Sequence, residues 1–178
     1  MNISKFTQKS VQAVQDLEKV AYEYGNQEIE EEHLLYALLT QEDSLILKLI
    51  EKMEIQKEYF IDTVKRALDA RVKVSGGELR FGQYLNKALV SAEDEAKAMG
   101  DEYVSVEHLF LALLKYANRE IKGMMKELGI TRESFLQVLS SVRGNQRVTS
   151  DNPEATYDTL NKYGEDLVEK AREQKLVR

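Results

Sequence analysis

The chain holds two histidines, and each follows a glutamate: Glu32-His33 and Glu107-His108. A carboxylate beside an imidazole is the pairing used for acid–base work or for holding a metal ion. A zinc site needs three or four ligands held by the fold, such as two histidines one helical turn apart with a glutamate. Here each segment offers a single histidine, so the cluster expected of a site is missing. Both pairs also recur in the same apolar context, which points to packing or capping at a helix start. A metal-dependent enzyme built on His33 and His108 is the rival reading.

Other chemistry finds less support. No Gly-x-x-x-x-Gly-Lys-Ser/Thr loop is present, and Gly76-Gly77 lacks the lysine that would cradle phosphates. No Gly-x-Ser-x-Gly elbow occurs, and the absence of cysteine rules out a thiol nucleophile. The runs Glu30-Glu31-Glu32 and Glu93-Asp94-Glu95 read as solvated helix faces or first turns, where the macrodipole favours carboxylates. A binding module is expected, not an enzyme.

The elements that position these residues are duplicated. Residues 6–64 return at 81–139 with a constant offset of 75 and no gap. Glu32-His33-Leu34-Leu35-Tyr36-Ala37-Leu38-Leu39 becomes Glu107-His108-Leu109-Phe110-Leu111-Ala112-Leu113-Leu114. Phe6 falls on Phe81, Ala13 on Ala88, Ala21 on Ala96, Gly25 on Gly100, Ile46 on Ile121 and Phe60 on Phe135. Retained positions are mostly apolar or glycine, the classes that fix packing and turns. Two copies make a pseudo-twofold domain, since a solenoid needs more.

Helical spacing of apolar residues predicts helices over 4–24, 31–39, 44–52 and 57–71, then over 83–99, 106–115, 120–128 and 132–142. Gly25 and Gly100 stop the first helix of each copy. Ser105 is a good N-cap, whereas its counterpart Glu30 is a poor one. Strand signals are weak. The expectation is an all-α domain of eight helices in two four-helix repeats, 4–72 and 81–143, within a domain spanning 1–144. Residues 73–80 join the repeats. Residues 145–156 are polar, hold the only proline, Pro153, and read as a linker. Residues 157–178 are predicted to be helical again. Tyr22, Tyr24, Tyr36, Met99, Tyr103, Tyr116, Met124 and Met125 read as core, or as lining a shared groove between the halves.

The formal net charge of −6, with 31 acidic and 25 basic residues interspersed, argues against nucleic-acid binding. Residues 1–5 lack the apolar core of a signal peptide. No apolar run approaches the roughly 20 residues needed to cross a bilayer. A soluble, cytoplasmic, monomeric piece of chain is expected, with no membrane partner.

The repeated Glu-His-Leu-x-x-Ala-Leu-Leu, with Gly25 and Gly100, resembles the double Clp N-terminal repeat of the AAA+ Clp ATPases. Arg143-Gly144-Asn145-Gln146-Arg147-Val148-Thr149, Asn152-Pro153-Glu154-Ala155-Thr156-Tyr157 and Lys162-Tyr163-Gly164-Glu165-Asp166-Leu167 are similar to the junction in ClpB-type disaggregases. A ClpC-type domain, which docks adaptors for a protease, shares the repeats without usually carrying this junction, and is the alternative. The resemblance implies a domain that captures unfolded or aggregated polypeptides for threading by its own AAA+ ring, with an Hsp70-type chaperone as co-worker. Residues 157–178 would open the first ATPase module. ATP and Mg²⁺ would belong to the full-length protein, with no cofactor or metal in these residues.

The resemblance also singles out Thr7 beside Phe6, Asp101 after Gly100, and Glu107 before His108. Relatives present an apolar groove wall where this chain has Ser91, Glu95 and His108. That leaves Leu85, Leu89, Tyr103 and Phe110 as the expected wall, with a carboxylate rim suited to apolar or basic-aromatic segments. Burying about 400 Å² of apolar surface gives roughly 10 kcal/mol gross. Association entropy removes much of it, so affinity is expected to be micromolar or weaker.

Overall fold

The computed structural model describes residues 3–153. The segment 157–178, expected to be helical, lies outside the described residues. Eight α-helices occur among the described residues: α1 (Gln8–Tyr24), α2 (Glu31–Thr40), α3 (Leu45–Lys52), α4 (Lys57–Asp69), α5 (Gln83–Ala98), α6 (Val106–Lys115), α7 (Arg119–Leu128) and α8 (Arg132–Arg143). None is long and apolar enough to cross a membrane.

Local chemistry sets the boundaries. Helix α1 starts later than expected because Thr7 is its N-cap, its hydroxyl accepting from the Ser10 N–H at 3.2 Å. Residues 3–5 form a short 3-10 turn instead. At the other end Gly25 adopts φ 68°, a left-handed conformation that costs glycine little, and the Asn26 N–H reaches back to the Ala21 carbonyl. Gly100 repeats this with φ 73° and an Asp101 N–H to Ala96 carbonyl bond.

Two features exceed the sequence expectation. Short parallel strands do form, β1 (Glu28–Ile29) with β2 (Arg80–Phe81). Ile29 pairs with Phe81, and Phe6 makes a parallel bridge to Val104. With the offset of 75 these two pairings are the same pairing with the repeats exchanged. The Thr7 N–H donates to the Val104 carbonyl at 2.9 Å, and the Gly82 N–H to the Ile29 carbonyl at 2.8 Å. Two-residue strands carry too little pattern to show in a sequence.

The halves also interlock. Helix α3 of repeat one packs on α6 and α8 of repeat two, while α7 of repeat two packs on α2 and α4 of repeat one. One continuous apolar core results, from Phe6 through Leu34, Leu38 and Phe60 to Leu109, Phe110 and Phe135. The Phe110 and Phe135 rings lie 4.5 Å apart between centroids. Beyond α8 the chain stays on the body: Val148 is buried, the Glu102 N–H donates to its carbonyl, and the Gln8 N–H donates to the Asp151 carbonyl.

Candidate functional site

Both Glu-His pairs are built into helix starts. His33 is the third residue of α2, and its Nδ1 accepts from the Glu30 N–H at 2.9 Å. His108 does the same in α6, accepting from the Ser105 N–H at 2.9 Å. An Nδ1 that accepts carries no proton, so Nε2–H must donate: to Asn26 Oδ1 at 3.0 Å and to Asp101 Oδ2 at 2.7 Å. Burial pushes His33 down to about 4 and lowers His108 as well, so both rings are neutral near pH 7. Each lone pair is spent on a capping bond, and neither ring has one left for a metal. No group of three or more metal-ligating side chains occurs among the described residues.

The partners differ between copies. Around His108, Asp101 receives bonds from the Arg143 guanidinium and from the Val148 N–H at 3.0 Å. Burial opposes ionisation of Asp101, but the bonds from His108 and Arg143 outweigh it and hold the carboxyl well below the usual range. Around His33 the polar partner Asn26 donates to the Val72 carbonyl at 3.1 Å.

Glu30 overturns its reading as a poor cap. It takes the N-cap position of α2, and its carboxylate also accepts from the Tyr84 and Leu85 N–H groups at 3.2 and 3.1 Å. One side chain thus serves two helix starts, one in each repeat. The room comes from Gly82, where a Cβ would sit 1.8 Å from Glu30 Oε1. Glu31 and Glu32 reach repeat two likewise, accepting from Asn118 N–H and Nδ2 at 2.7 and 2.6 Å. Arg71 pairs with Glu32 at 2.6 Å and Glu28 at 3.0 Å. Of the two readings of Glu30, Glu31 and Glu32, the helix-start one holds and the solvated one fails: they cap and open α2, but all three are buried, and they clamp the repeats together.

Phe6, Thr7 and Tyr103 are brought together by the bridge to Val104, with the Lys5 ammonium 5.6 Å from the Tyr103 ring centroid. Asp101 lies on the same loop. Leu85, Leu89 and Phe110 are core residues of repeat two, at most 2% exposed, so they form no outer wall. Glu107 and Asp101 are buried as well and supply no carboxylate rim. Tyr103 alone of the expected wall is half-exposed. Ser91, Glu95 and His108 are buried too, and Glu95 is held bidentately by Arg132 at 2.9 and 2.6 Å.

An accessible apolar hollow lies inside repeat two. It has a volume of about 530 Å³, within the range of ligand pockets, and a floor of Leu114, Ala117, Met125 and Ile130. Lys115, Lys122, Lys126 and Arg132 stand around it. Of these, the sequence reading had offered Met125 alone as groove lining. The signal was there in the offset: Lys122 and Lys126 answer to Leu47 and Glu51 in repeat one. A second hollow of about 470 Å³ contains the Arg71 pairs with Glu28 and Glu32, and a third of about 460 Å³ lies between the halves, with Ala67 and Met124 in its lining.

These observations define an interlocked all-α double-repeat domain. The chain belongs to the Clp repeat (R) N-terminal domain family, which matches residues 5–128. Over 99% of its length it is 46% identical to the chaperone protein ClpB of Nitratidesulfovibrio vulgaris, and it corresponds to the N-terminal region of such chaperones. It spans about a fifth of the length of the curated relatives it matches, 21% for that protein. The Hsp104 N-terminal domain of Candida albicans superposes with a TM-score of 0.74 at 24% identity, covering 84% of this chain and 99% of that one. A ClpV N-domain, solved as a complex with a VipB peptide, gives a TM-score of 0.61 at 20% identity over 78% of this chain and 85% of that one.

Proposed function

We propose that this chain is the client-capturing domain of a ClpB-like, ATP-dependent disaggregase. The observation that carries the reading is the match to ClpB along the whole chain, including the junction after α8. The apolar hollow over Leu114, Ala117, Met125 and Ile130 supports a site for exposed segments of unfolded or aggregated polypeptide. Exposed apolar stretches of a loosened client lie across this floor, lose water, and bind weakly enough to be released. The client then passes to the AAA+ ring of the same protein, where ATP and Mg²⁺ act, with an Hsp70-type chaperone as co-worker in the cytoplasm. Thr7 and Asp101 serve by positioning: Thr7 caps α1, and Asp101 ties the chain after α8 to the loop before α6.

An amide-exchange map with and without a reduced, unfolded model protein tests this. Added protection is expected across the end of α6, all of α7 and the start of α8. Protection elsewhere rejects this site. Binding to a folded adaptor but to no unfolded chain favours the ClpC-like alternative, a reading supported by the ClpV N-domain solved with a VipB peptide.

A further inference from the structure

The hollow on repeat two has a charge of its own in an acidic chain. Four cationic side chains stand around its apolar floor, and Glu95 is the one carboxylate lining it. That carboxylate is buried and held by both arms of Arg132, so the two neutralise each other. Lys115, Lys122 and Lys126 remain as exposed cations, and none makes an ion pair among the described residues. Lys122 and Lys126 are one helical turn apart on α7, flanking Met125, so both ammonium groups face the same edge of the floor. The duplicated position in repeat one offers no such rim, with Thr40, Leu47 and Glu51 replacing the three lysines. The basic rim is therefore peculiar to one copy and concentrated where the apolar floor opens.

Resting on the capture reading above, we infer that this groove selects apolar client segments interspersed with carboxylates over those interspersed with lysine or arginine. Leucine-like side chains fill the floor, and aspartate or glutamate between them meets the three lysines. Basic-aromatic segments, the sequence-based expectation, meet like charge and are disfavoured. Exposed pairs are individually weak, but three cations around one groove sum to about a tenfold preference at low salt.

Three fluorescein-labelled peptides test this against the 178-residue chain. They share the same leucine and phenylalanine positions, with the intervening positions all glutamate, all serine or all lysine. In about 0.05 M NaCl, anisotropy titrations are expected to rank glutamate tightest and lysine weakest, about tenfold apart, with the gap closing to about twofold near 0.5 M. Lys122→Glu with Lys126→Glu is expected to invert the order of the glutamate and lysine peptides. Equal affinities, or a tighter lysine peptide, overturn the charge preference. Methyl resonances of Met125 and Ile130 that move with the serine peptide then keep the groove itself standing. If all three peptides fail to bind, both readings fall together.

Discussion

The two repeats share one backbone plan and differ in almost every polar partner. Ile29–Phe81 and Phe6–Val104 are one pairing written twice, and so are the bonds from Thr7 and Gly82 to the opposite repeat. Around that frame the side chains have been reassigned. Where α1 is capped by its own Thr7, α5 begins at Gly82 and borrows the Glu30 carboxylate from across the interface. Where Ser105 caps α6 modestly, Glu30 caps α2 and reaches further. A duplicated fold thus tolerates polar exchange when the exchange is made in matched sets. Apolar positions are held because a shared core leaves no space for drift.

The largest effect follows from the interlocking. Helix α3 buries Leu45, Ile46, Leu49 and Ile50, and it packs on α6 and α8 of the other repeat. Residues 1–77 alone would expose that face and lose the Asn118 clamp on Glu31 and Glu32. Such a fragment is expected to show no cooperative thermal transition by circular dichroism, while 1–153 unfolds in one step. A repeat that melts cooperatively by itself would mean that the halves are independent domains.

Next comes the matched set at Gly82 and Glu30. Gly82 has φ −73°, so its backbone suits any residue, and space alone keeps it small. Gly82→Thr drives a Cβ into the Glu30 carboxylate and is expected to cost about 3 kcal/mol, because that group must leave three N–H donors, two of them buried. Glu30→Ser removes the shared cap and is expected to cost about 2 kcal/mol. Together they copy the Thr7–Ser105 arrangement, and the pair should cost about 2 kcal/mol less than the sum. Urea titration of the four proteins measures this, and simple additivity would refute the matched-set account.

Much of this frame was legible before any coordinates. The offset of 75 predicted two four-helix halves, and the helix over 106–115 appears within the bounds expected. Gly25 and Gly100 were readable as stops because left-handed turns demand glycine. The site was far less legible. Leu85, Leu89 and Phe110 were expected as a wall from the family resemblance, but α5 and α6 pack on each other within repeat two and all three are buried. Glu30 reads as a poor cap because helix periodicity knows nothing of Tyr84 and Leu85, 54 and 55 residues away. The basic rim was visible as a difference between copies, at Lys122 against Leu47 and Lys126 against Glu51. Similarity between repeats reported the scaffold, and dissimilarity reported the surface.

The smallest of these effects isolates one such dissimilarity. Glu31 opens α2 where Val106 opens α6, and both side chains are buried. Burial raises the Glu31 carboxyl to about 8, with Glu30 and Glu32 adding to it against the bond from Asn118 N–H. In the unfolded chain the same group ionises near 4.5. The folded state therefore holds the extra proton, and its stability falls as pH rises from about 4.5 to about 8. Glu31→Gln keeps an oxygen for the Asn118 N–H and removes the ionisation. The variant should melt with the parent near pH 4.5 and gain about 4 kcal/mol over it by pH 8. His33 titrates downward to about 4 in both proteins, so it cancels from the difference. A gap between the two melting curves that stays flat across this range would show that Glu31 is ionised in the fold. The clamp on Asn118 would then be a charge-assisted contact, unlike anything at Val106.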